Sequence, residues 1–185
     1  MKLLFIESLF GAILMFASFT TAYSQQISPC GLIDLPAAEA ALSSKLKKNS
    51  SASDEKPQTI NLSNDSFATM YSCGFQSQDG KFKLGVMLLD HVSLKAAKID
   101  FDGWATGSIF PATPPFEYAQ ISGLGEEAAS FIPSRRSGGK NSEFGFVIRK
   151  GQRVLILTMR PHDDNFVAGS LERLRPIADK AAQKF

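Results

Sequence analysis

Cysteine, histidine and tryptophan are scarce in this chain: two, two and one among 185 residues. Each scarcity removes a chemistry. A zinc centre wants three or four ligands, often at short fixed spacings, and the histidines, His91 and His162, form neither H-x-x-x-H nor H-E-x-x-H. With Asp90, Asp163 and Asp164 beside them they would complete a site only where the two turns meet in space. Serine hydrolysis needs an activated serine with a base and an acid. No G-x-S-x-G elbow occurs, and the nearest phrase, "ATGSIF", lacks the second glycine. Charge of one sign is also missing. The 20 basic and 18 acidic residues nearly cancel, and no basic stripe interleaved with aromatics marks a nucleic-acid surface. After Phe19 no apolar run has the roughly 20 residues that a spanning helix requires. No cofactor is expected, because no motif that would hold one is present.

What is present begins with a leader. Lys2 supplies a positive start, Leu9 to Phe19 is apolar apart from Gly11 and Ser18, and Ala22 and Ser24 fit small-x-small processing. Residues 1–24 therefore read as a secretory signal peptide, and residues 25–185 as a single domain, long enough to bury a core. Cys30 and Cys73 both fall in that domain. In an oxidising compartment such a pair forms one disulfide. Its loop of about 44 residues gives roughly 4 kcal/mol in the chain-entropy account. Pro29 makes Cys30 a poor acceptor for a lipid.

The pattern along the chain predicts an α+β domain: a mostly antiparallel sheet of about five to six strands packed against N-terminal, middle and C-terminal helices. Asp34 caps and Pro36 opens a first helix whose stripe, Leu35, Ala38, Leu42 and Leu46, ends near Lys47 and Lys48. Residues 49–66 are polar and read as a mobile loop. "FATMYSCGF" and "KFKLGVMLLD" alternate around a D-G turn and form a hairpin with Cys73 inward. On the second strand one face carries Phe82, Leu84, Val86 and Leu88; the other runs Lys81, Lys83, Gly85, Met87, Leu89, wet at its start and dry at its end. Ser93 caps a middle helix that stops at Gly103. "EYAQI" and "AASFI" read as short strands, and "FGFVIRKGQRVLILTMR" as a hairpin whose second strand is apolar on both faces and so sits mid-sheet. "HDDN" offers caps for a last helix, which Pro176 kinks or splits.

Three phrases raise questions of function. "ISGLGEEAASFI" resembles a phosphate-binding glycine loop only superficially, since no lysine follows and two glutamates would repel phosphate. It reads as a tight corner in which Gly123 and Gly125 take positive φ and Glu126 and Glu127 face water. Those acids, with Asp100 and Asp102, are the material for a carboxylate pair of glycosidase type, but adjacent surface acids read first as solubilising groups. "PSRRSGG" reads as a solvated turn exposing Arg135 and Arg136. "WATGSIFPATPPFEY" is an irregular segment rich in apolar side chains. Trp104, Ile109, Phe110, Phe116 and Tyr118 either fold back on the core or form a patch for a partner.

Cys30 with "GLI" and an alanine-rich helix, the second cysteine in "YSCGF", the "GLGEEA" corner and "RKGQRVLIL" before a final helix resemble small secreted α+β domains of bacterial envelopes, lipoprotein-like domains and extracellular sensor domains among them. The resemblance implies a disulfide near these positions and carries over no catalytic residue. The expected function is an exported non-catalytic domain, periplasmic or secreted, that binds a protein, a lipid or an envelope polymer. The alternative is a hydrolase or metal-dependent enzyme using His91 or His162 with nearby carboxylates.

Overall fold

A computed structural model describes residues 28–49, 56–62, 66–108, 116–133, 143–162 and 170–185. The leader, Ile109 and Phe110, the Arg135–Arg136 turn and the caps at 163–165 lie outside the described residues. The elements are α1 (Pro29–Leu32), α2 (Leu35–Leu42), β1 (Leu46–Lys48), β2 (Gln58–Leu62), β3 (Ser66–Ser77), β4 (Phe82–His91), α3 (Leu94–Thr106), β5 (Phe116–Ile121), β6 (Glu127–Pro133), β7 (Phe144–Lys150), β8 (Arg153–Pro161) and α4 (Ser170–Lys184). All strands join one antiparallel sheet in the order β1-β3-β4-β8-β7-β6-β5, with β2 also paired to β3. The α+β class with an antiparallel sheet is thus observed, with eight strands instead of five to six.

The undercount has two sources. Leu46 continues the helical stripe in sequence, yet α2 stops at Leu42, where Ser43 takes φ 52° and its N–H meets the carbonyls of Glu39 and Ala40. Glu39 then turns back on the chain, accepting from the Leu46 N–H at 3.0 Å and from Lys45 Nζ at 2.8 Å. Leu46 is buried from a strand, not from a helix. β2 lies inside the stretch read as a mobile loop. It pairs with β3 through Gln58↔Met70 to Leu62↔Ser66, and Ile60 packs on the core. Two apolar residues, Ile60 and Leu62, among polar neighbours carry too little pattern to mark a strand, and here backbone pairing supplies the stability.

Local signals held elsewhere. Asp34 accepts from the Ala37 N–H at 3.2 Å and Ser93 from the Ala96 N–H at 3.1 Å, so both helix starts are capped as predicted. Gly80, Gly123, Gly125 and Gly151 all take positive φ at their turns. The middle helix, however, runs through Gly103 to Thr106, and the left-handed residue that ends it is Gly107 at φ 72°. Trp104 therefore stands on a helix, not in a loop. Pro176 does not split α4. Burial of Leu174, Ile177, Ala178 and Ala181 holds the helix across the proline, whose cost is about 3 kcal/mol in an isolated helix.

The helices cover the two faces unequally. Leu84, Val86, Leu88, Phe146, Ile148, Leu155, Leu157 and Met159 form one face of the sheet, packed with residues of α1, α2 and α4 in a continuous core. The Cys30–Cys73 disulfide joins α1 to the middle of β3 across 5.3 Å between Cα atoms. Lys180 pairs with Asp34 at 2.9 Å and Lys184 Nζ donates to the Gly31 carbonyl at 3.1 Å, so α4 is also tied to the leading helices. Among the described residues, α3 is the helix on the opposite face. Ala97 and Phe101 cover Ala68, Leu89, Ala129, Val147, Val154 and Ile156. β8, apolar on both sides, sits between β4 and β7 as its sequence requires.

Candidate functional site

Among the described residues, α3 covers only part of its face. Residues opposite one another in neighbouring strands share a face, so the register defines transverse rows. Under α3 runs Ser72, Met87, Ile156, Val147, Ala129. The next row reads Gly74, Gly85, Thr158, Gly145, Phe131, Tyr118. The row beyond is Gln76, Lys83, Arg160. The middle row is stripped of side chains over four strands except at Thr158, and this bareness opens the sheet. A cleft of about 510 Å³ lies there, with Gly74, Gly85 and Thr158 in its floor and Trp104, Phe116 and Phe131 in its wall. Small-molecule sites occupy about 300–1,000 Å³.

The glycines are required by more than the cleft. A Cβ at Gly145 would meet the Leu157 carbonyl oxygen at 1.9 Å, so the backbone itself forbids a side chain there. At Gly85 a Cβ would meet only Thr158 Oγ1, at 2.6 Å, and that hydroxyl can turn away. Gly85 thus sets the depth of the floor without being demanded by the backbone.

The wall is an aromatic cluster. Phe131 lies 6.5 Å from Trp104 and 6.1 Å, edge-on, from Phe116, which lies 6.2 Å from Tyr118. Such separations lie in the range of favourable ring pairs. Tyr118 is seated against the end of α3, since a Cβ at Gly107 would fall 2.3 Å from its hydroxyl. Burial raises the Tyr118 phenol above its ordinary pKa. Of the residues expected at a contact surface, Trp104, Phe116 and Tyr118 are brought together, and Ile109 and Phe110 belong to the undescribed segment that joins α3 to β5. Phe131, the hub of the cluster, was not singled out by sequence; its phrase "AASFI" carried only a strand signal. Lys83 and Arg160 line the outer side of the cleft, and Arg160 is paired with Glu143 at 3.0 Å.

The histidines are placed apart. His162 donates its backbone N–H to the Lys81 carbonyl at 2.7 Å, just before β4 begins. His91 ends β4. Ten residues of strand, about 33 Å, lie between these points, so the two do not share a site. His162 is exposed. His91 is buried under α3, its Nε2 3.2 Å from Oδ2 of Asp100, also buried. The approach lacks hydrogen-bond alignment, and both His91 nitrogens and that carboxylate oxygen have no hydrogen-bond partner among the described residues. Ser93, two residues on from His91, is committed to the α3 cap. No group of three metal-ligating side chains occurs among the described residues.

The glycine corner is structural. Leu124 is buried between Gly123 and Gly125, and a Cβ at Gly125 would meet the Arg149 carbonyl at 2.6 Å. The acids are not merely solvated. Arg149 binds Glu127 at 2.5 Å and Glu126 at 2.8 Å, and Lys98 reaches Glu127 at 3.2 Å and also Asp102. Burial pushes the Glu127 carboxyl up, but Arg149 and Lys98 outweigh it and hold the pKa below the ordinary range. Glu127 in turn raises the Arg149 guanidinium. With its acids neutralised by two cations, the corner offers no anion cradle.

The described chain is therefore a disulfide-bonded α+β domain with one open aromatic cleft. No protein-family model matches it, and comparison with curated proteins finds no match. A disulfide fits an oxidising location, and no helix among the described residues is long and apolar enough to cross a membrane.

Proposed function

We propose that the chain is an exported, non-catalytic binding domain, periplasmic or secreted, whose cleft receives an apolar ligand of lipid-like kind. One observation carries this reading: a row of glycines leaves a cleft of about 510 Å³ beside an aromatic wall of Trp104, Phe116 and Phe131. An apolar wall over a bare floor removes hydrocarbon from water at about 25 cal/mol per Å². The few polar groups at its edge would fix orientation. The leader pattern and the Cys30–Cys73 disulfide support export. The separation of His91 from His162 and the burial of His91 favour binding over an enzyme that uses both.

Trp104 is the only tryptophan, so its emission reports on the wall directly. Titration of the purified protein with N-phenyl-1-naphthylamine, a neutral apolar fluorophore, is expected to give saturable binding with energy transfer from Trp104. Gly85→Val, which raises the floor, is expected to weaken that binding at least tenfold while the circular dichroism spectrum is kept. Equal binding by both proteins would remove the cleft as the site.

A further inference from the structure

We infer that the ligand is a single-chain amphiphile with an anionic head, held by Lys83 at the outer side of the cleft. This rests on the cleft as the binding site and adds the chemistry of the ligand's polar end. On β4 the face that forms the cleft reads Lys83, Gly85, Met87, so an ammonium, a bare floor and an apolar side chain follow one another in steps of about 7 Å. A molecule lying along the strand with its chain on Gly85 and Met87, against Trp104, brings its head to Lys83. The charges at that end are Lys83, Arg160 and Glu143. Arg160 and Glu143 neutralise each other at 3.0 Å, which leaves Lys83 as the unpaired cation among the described lining residues. Lys83 is exposed and has no ion pair with any described residue. A cation at the end of an apolar slot complements a carboxylate, sulfate or phosphate monoester and repels an ammonium. The described residues at the other end of the cleft, Ser72, Met87 and Ile156 in the row under α3, carry no charge.

The test compares three amphiphiles with the same twelve-carbon chain and different heads: dodecanoate, dodecyldimethylamine oxide and dodecyltrimethylammonium. Each is titrated below its micelle concentration at about pH 8, where the carboxylate is ionised and lysine protonated. Trp104 emission is the readout, with Gly85→Val to show that the response comes from the cleft. Dodecanoate is expected to bind at least tenfold tighter than the neutral amine oxide, and the ammonium weakest. Lys83→Gln should abolish the preference of the cleft for dodecanoate over the amine oxide. Lys150→Gln, an exposed cation at the far end of β7, should change nothing. Equal affinity for all three heads, or a Lys83→Gln protein that keeps its preference, would overturn the inference and leave the cleft as an apolar site. Failure of every chain to bind would overturn the cleft reading itself. Sedimentation with vesicles of anionic phospholipid, without a response to free dodecanoate, would assign Lys83 to a membrane surface and overturn the inference as well.

Discussion

The two faces of the sheet are built on different terms. The face under α1, α2 and α4 is closed: it is almost wholly apolar, covalently stitched through Cys30–Cys73 and clamped by Lys180 and Lys184. The face under α3 carries a smaller core, a buried His91–Asp100 contact and a row of glycines that α3 does not cover. The difference teaches that stability and access are divided between the layers. Among the described residues, the locked layer holds the fold, and the layer across the sheet leaves a trench beside α3.

If that division is right, damage to the closed face should fall on stability and damage to the open face on binding. The largest effect is expected from the disulfide. Cys30→Ser with Cys73→Ser, or reduction of the native protein, should lower unfolding stability by roughly 4 kcal/mol in urea titrations, with the slope of the transition rising as the unfolded chain expands. Leu157→Ala, at the centre of the closed face, should lose about 2–5 kcal/mol by the same measurement. A loss under 1 kcal/mol for either would break the comparison.

On the open face, His91→Ala should lose about 1–3 kcal/mol, because it empties a buried site beside the buried Asp100 carboxylate. Ligand titration by Trp104 emission should be unchanged, since His91 lies six residues, about 20 Å of strand, from Gly85. Altered affinity in this variant would show that the pair communicates with the cleft. A smaller effect, below about 1 kcal/mol, is expected for Glu127→Gln at neutral pH. The sign of its pH dependence follows from the lowered pKa. The Glu127 contribution is present above the carboxyl's unfolded-state pKa and is lost as pH falls through its lower folded-state value. Urea midpoints measured from neutral pH downward should therefore converge for wild type and variant in acid. Gly85→Ala should move stability least, by less than about 1 kcal/mol, because the methyl group meets only a rotatable hydroxyl. It should nonetheless weaken ligand binding.

The closed face was largely legible in sequence. Phe82, Leu84, Val86 and Leu88 alternate cleanly, "VLILTM" reads as a buried strand, and two cysteines allow one pairing. The open face was legible only in part. The wet-to-dry run Lys83, Gly85, Met87, Leu89 already describes a face covered at one end, but nothing local says which helix covers it or where that cover stops. The end of α3 was misplaced because Gly103 and Gly107 are equal as letters; only packing distinguishes a buried glycine within the helix from the left-handed one that ends it. The glycine row itself is non-local. Gly74, Gly85 and Gly145 lie on three strands and become neighbours only through the register, with Thr158 between two of them.

A last consequence concerns the sheet's margins. β3 is twelve residues long, but its outer side is shared between two short pieces, β2 and the three residues of β1, which ends in Lys47 and Lys48. At the opposite margin β5 exposes Glu117 and Gln120. Neither border presents a long, straight, uncharged line of backbone groups on which another sheet could grow. The described edges thus offer a second sheet little backbone to pair with.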